Sequence, residues 1–154
     1  MGDQFLKNAR KLLLGRWFNV KSHADRLQEQ LEAELRERAD VLFREYDARV
    51  IPNTETYPTG FDYAVVTIAV HHVLLRFIRG RGDFRVDVAP SVNPSAWKEA
   101  SFVAKNSSHS DSTAKLDYFG LNDVGRFLQS NLTVLELEAA KPNWKTSPGW
   151  LTPI

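Results

Sequence analysis

Residues 61–90 read FDYAVVTIAVHHVLLRFIRGRGDFRVDVAP, and their alternation decides the fold. Successive side chains of a strand leave opposite faces, so apolar residues two apart mark one face. Val66, Ile68 and Val70 make one such row, Val73, Leu75 and Phe77 a second, and Phe84, Val86 and Val88 a third. Arg81-Gly82 supplies a two-residue turn, because glycine takes positive φ without steric cost. Setting Gly80 opposite Asp83 places Phe77 opposite Val86, Leu75 opposite Val88 and Arg76 opposite Asp87. The apolar residues then share one face and an ion pair falls on the other. A slip of one residue would turn every side chain over, so a register that satisfies both demands is strongly specified.

The preceding hairpin is less well marked. A turn at His71-His72 sets Ile68 opposite Leu75 and Val66 opposite Phe77, extending the same apolar face. Two-residue hairpins favour glycine or asparagine, so the expectation at His-His is a longer loop. The second face carries Tyr63, Val65, Thr67, Leu74, Arg76, Ile78, Arg85 and Asp87, a mixed surface open to partial cover or to contact.

Helical patterns flank this sheet. Asp3 is placed to cap a helix reaching about Leu14, basic and amphipathic, with Phe5, Ala9, Leu12 and Leu13 on one face. Residues 1–21 carry five basic groups and one acid, whereas residues 22–47 carry eight acids and four arginines, so the two segments can neutralise each other by packing. Ser22 and Asp25 resemble a capping box, and the stripe Leu27, Leu31, Leu35, Leu42 and Tyr46 predicts a helix to about Tyr46. Pro52, Pro58 and Gly60 mark an irregular entry to the sheet. Asn93-Pro94 is a helix-start signal, predicting a helix with Trp97, Ala100 and Val103 or Ala104 that ends near Lys105. Leu121, Val124, Leu128, Leu132 and Leu135 predict a last helix over 121–139, with Gly125 weakening it by about 1 kcal/mol. The tail from Lys141 holds three prolines and is not helical, and Trp144 and Trp150 predict that it adheres to a surface. The class is therefore α+β: a central antiparallel β-meander packed by N-terminal and C-terminal helices, in one domain over 1–154.

Composition narrows function by exclusion. The 43% hydrophobic and 25% charged residues are those of an ordinary globular chain, and a net charge of +1 provides no general drive toward nucleic acid or membranes. The absence of cysteine removes disulfides, thiol catalysis and cysteine-type zinc sites. No apolar run approaches the roughly 20 residues that span a bilayer, and residues 1–21 lack a signal-peptide pattern, so a cytoplasmic location is expected.

Candidate chemistry is sparse. His23, His71, His72 and His109 fall into no HExxH or HxxxH spacing, and neither metal nor cofactor is expected. Ser107-Ser108-His109-Ser110-Asp111-Ser112 holds the residue types of a hydrolase triad, but triad members usually come from separate elements, and there is no GxSxG elbow. Arg81-Gly82-Asp83 reads as a hairpin turn rather than an adhesion tripeptide, and the sequon at Asn131 lies inside the expected last helix. The candidate contacts for an anion or a partner are Arg76, Arg79, Arg81 and Arg85, since guanidinium forks suit phosphates and carboxylates. Asp83 and Asp87 sit among them, which favours an ordinary salt-paired strand surface.

The run LRFIRGRGDFRVDVAP followed by Trp97 resembles small uncharacterised bacterial α+β proteins, some of toxin-immunity type, over about residues 61–105. That resemblance implies a non-enzymatic protein-binding domain, immunity-like, whose partner is another protein, and it carries over no site residue. Two rivals stand beside it: a small-molecule, anion-binding or enzymatic pocket beside the sheet, and a nucleic-acid contact through the arginine hairpin.

Overall fold

A computed structural model of the chain describes residues 22–52, 63–107 and 120–145. In chain order these form α1 (His23–Arg38), α2 (Asp40–Glu45), β1 (Arg49–Ile51), β2 (Ala64–Val70), β3 (Val73–Arg79), β4 (Phe84–Pro90), β5 (Lys98–Glu99), α3 (Ala100–Asn106) and α4 (Leu121–Ala139). The first basic helix expected from Asp3 lies outside the described residues, as do Pro58, His109 and Trp150.

The strands make one antiparallel sheet in the order β1-β2-β3-β4-β5, so each strand pairs with its neighbour in sequence. The second hairpin has the expected register, with Phe77 opposite Val86, Leu75 opposite Val88 and Arg76 opposite Asp87. Its turn closes with the Gly80 N–H donating to the Asp83 carbonyl at 2.9 Å, and Gly82 takes a φ of 76°. The first hairpin also pairs as expected, Val66 with Phe77 and Ile68 with Leu75. Its connection is shorter than expected: Val70 pairs with Val73, leaving only His71 and His72 in the turn. His71 adopts a φ of 49°, which few non-glycine residues do, histidine more often than most. Tertiary contact holds it there: its Nδ1 lies 2.6 Å from Glu136 Oε1, and its ring meets Tyr46 edge-on at 5.9 Å.

Val66, Ile68, Leu75, Phe77, Val86 and Val88 are all buried on one face. On that face they form a single cluster with Leu31, Leu35 and Leu42 from α1 and α2, and with Val124, Leu128, Leu132 and Leu135 from α4. The other face is not an open surface. Val65, Leu74 and Ala89 are buried there, and Arg76 and Asp87 are each only 3% exposed.

Helix α1 begins where the sequence places it. The Ser22 Oγ accepts from the Asp25 N–H and the Asp25 carboxylate accepts from the Ser22 N–H, both at 3.1 Å, satisfying two donors that the helix itself leaves open. It does not run on to Tyr46. Ala39 leaves helical geometry at φ −122°, ψ 36°, and α2 follows as a separate short helix.

The helix expected from Asn93-Pro94 starts later, at Ala100. Residues 91–96 make turns instead, with the Asn93 N–H on the Pro90 carbonyl and the Ala96 N–H on the Asn93 carbonyl. Lys98 and Glu99 then pair with Val88 and Asp87 on the outer edge of β4. An extended pair on a sheet edge satisfies backbone groups that a helix over the same residues would leave open along β4. Helix α4 runs Leu121–Ala139 as expected, with Val124, Leu128, Leu132 and Leu135 inward.

Candidate functional site

The arginine hairpin is the site that the sequence singles out, and its four guanidinium groups do not converge. Arg76 donates to Asp87 Oδ2 at 2.8 Å, and its guanidinium stacks 4.3 Å from the Trp97 ring. Arg85 reaches the same carboxylate, with Nε 3.0 Å from Oδ1 and Nη2 3.2 Å from Oδ2. Asp87 thus gathers two arginines. This pair is buried rather than lying on a strand surface as expected, since its face of the sheet is covered.

Arg79 has the opposite parity and turns toward α1. There it grips Glu34 with two hydrogen bonds, at 2.6 and 3.2 Å. That donation is the main reason the Glu34 carboxyl titrates below its ordinary value of 4.5. Arg81 stands at the exposed turn. Three of the four candidate contacts are therefore engaged with carboxylates.

Ser107 is the one described member of the serine-rich loop. Its Oγ donates to Glu138 Oε1 at 2.6 Å, tying the end of α3 to the end of α4. Among the described residues no group of three histidines, aspartates or glutamates is placed to hold a metal ion. No helix among the described residues is long and apolar enough to cross a membrane. Asn131 is fully buried with its amide spent on the Phe127 carbonyl at 2.8 Å, so the folded chain does not present that sequon.

A second site emerges where α3 meets the end of α4, from residues far apart in sequence. Lys98, Phe102, Val103, Asn106, Glu138, Lys141, Asn143 and Trp144 line an open groove of about 170 Å³. Phe102, Val103 and Asn106 share one side of α3, and Lys98 reaches the groove because β5 precedes that helix. Trp144 adheres to the body of the domain, as the tail's tryptophans predict: its Nε1–H donates to the Ala96 carbonyl at 2.7 Å. Its ring carries the Lys98 ammonium at 4.3 Å.

Charge in the groove is unevenly matched. Glu138 accepts from Ser107 and, at 2.8 Å, from Lys141. Lys141 stands just past the end of α4, where a cation complements the helix dipole. Lys98 has no such arrangement. Among the described residues no hydrogen bond reaches its Nζ, and burial pushes its pKa below the ordinary 10.5 while Glu138 pulls the other way. Phe102 is 60% exposed at the rim.

Sequence reasoning missed this groove. Lys98 lay inside a helix expected to begin too early, at Pro94 rather than Ala100, and nothing local links Glu138 to Ser107. The usable signal was Trp144, an apolar residue in a proline-rich tail that had to rest on something. Comparison with protein-family models, curated proteins and solved structures gives no match to this chain.

Proposed function

We propose that the chain is a non-enzymatic protein-binding domain that meets its partner at the groove between α3 and the end of α4. The observation that carries this reading is Phe102, a large aromatic 60% exposed at the rim of a groove of about 170 Å³. Pockets for cofactors and drug-sized ligands run to about 300–1,000 Å³, whereas this one fits a single protruding side chain. Partner surfaces take much of their binding energy from aromatic anchors beside such pockets. The resemblance of residues 61–105 to small bacterial proteins, some of toxin-immunity type, is a further support, and on the immunity reading the partner is a toxin domain.

The rival readings draw less support. Arg76, Arg79 and Arg85 already hold carboxylates, so a phosphate or nucleic acid would have to displace Asp87 or Glu34. Breaking the buried Arg76–Asp87 pair is costly, and the half-buried Arg79–Glu34 pair would lose two hydrogen bonds.

The test is selection of random heptapeptides displayed on phage against the purified chain, repeated with Phe102→Asp. Phe102 is exposed, so the variant keeps the fold, checked by its urea midpoint. Peptides that bind the native chain and lose at least tenfold affinity on the variant support the reading. No selected peptide, or peptides indifferent to the change, contradicts it.

A further inference from the structure

We propose that the groove recognises an acidic side chain of the partner, with the Lys98 ammonium pairing its carboxylate and Phe102 and Val103 covering its stem. This rests on the protein-binding reading above and specifies its ligand.

Three observations lead here. The first is the charge count of the lining: Lys98 and Lys141 face one carboxylate, Glu138, leaving the groove one positive charge in excess. The second is how Glu138 is used. It accepts from Ser107 and Lys141, both of which hold the ends of α3 and α4 in place. The third is Lys98 itself, seated on the Trp144 ring with its three N–H donors directed to no acceptor among the described residues. A cation–π contact leaves those donors open, and a carboxylate supplies what they lack.

The same surroundings choose a carboxylate over a phosphate. Asn106, the last residue of α3, and Glu138, near the end of α4, both line the groove, and helix C-termini carry partial negative charge. Glu138 adds a full one. A dianion would meet both, and the groove offers it no arginine fork. A singly charged carboxylate on a slim stem gains the Lys98 pairing with half the repulsion. A basic side chain would meet two ammonium groups and is disfavoured.

The experiment uses the heptapeptide selection. The selected sequences are expected to carry Asp or Glu. Replacing that residue by its amide in a synthetic copy of the tightest peptide should weaken binding to the native chain about tenfold, or about 1.4 kcal/mol. The same replacement should make no difference on Lys98→Gln, and Lys98→Glu should select basic peptides instead. The peptide pair measured on the native chain needs no variant to fold. Phe102-dependent peptides with no acidic preference, or an equal loss on Lys98→Gln, would overturn the carboxylate assignment while leaving the protein-binding reading intact. Tighter binding of a phosphoserine copy would overturn it too. Failure to select any Phe102-dependent peptide would remove both.

Discussion

The backbone carbonyl of Arg38 occupies the space that a side chain on Gly125 would need: a Cβ there would overlap the Arg38 oxygen. The two residues are far apart in sequence, and their contact explains one feature and adjoins another. It accounts for a glycine in the middle of α4, where helix preference argues against one. It also falls at the break between α1 and α2, where the chain leaves helical geometry at Ala39.

Gly125→Ala therefore tests this packing. On an open helix the change would stabilise by up to about 1 kcal/mol. Here the methyl group meets backbone, which cannot swing aside, so a loss of about 1–3 kcal/mol is expected from overpacking. Urea denaturation of the two proteins decides between opposite signs.

The buried position of Asp87 makes its removal costly. Asp87→Ala leaves Arg76 buried without this carboxylate, and a loss of about 3–5 kcal/mol is expected. Replacing Arg76 and Asp87 together by apolar residues of similar size should cost less, because the only arginine then left without Asp87 is Arg85, which is partly exposed and can be hydrated. Arg81→Ala, at the exposed turn, should change stability by less than about 0.5 kcal/mol. The three denaturation midpoints, compared with the native value, test the burial directly. Equal and small effects for Asp87 and Arg81 would contradict it.

The Arg79–Glu34 pair joins β3 to α1 and sets a pH dependence. Arg79 lowers the Glu34 pKa in the folded chain, so the folded state binds this proton less readily than the unfolded state. Its stabilisation is present above the ordinary value of 4.5 and is lost as pH falls through the lower, folded-state pKa. Glu34→Gln should be less stable than the native chain at pH 7, and the gap should close as pH drops below that window. Urea midpoints of both proteins from pH 7 to pH 3 measure it. A gap that is constant with pH would rule the linkage out.

Legibility in the sequence followed the range of the forces involved. Alternation in 61–90 gave strands, faces and both registers, because each apolar residue there reports its own burial. The stripe from Leu121 to Leu135 and the Ser22–Asp25 cap were equally local. The break at Ala39 was not, since it lies at a contact with Gly125 in another helix. Strand β1 is only three residues, too short to alternate visibly. Asn93-Pro94 gave a real turn signal, but the edge of β4 claimed Lys98 and Glu99 before a helix could form. The tight His71 turn depends on Glu136 and Tyr46, neither adjacent in sequence. The arginines were legible as a cluster, yet parity alone separates Arg79 from Arg76 and Arg85. The groove required Lys98, Glu138 and Trp144 to meet, and only the fold brings them together.

The most direct measurement is an amide NMR footprint of the tightest selected heptapeptide on the isotopically labelled chain. The account predicts that shifts concentrate on Lys98, Phe102, Val103 and Asn106 together with Glu138, Lys141 and Trp144, and vanish with Phe102→Asp. Shifts concentrated instead on Arg76, Arg79, Arg81 and Arg85, with the groove residues unmoved, would contradict it.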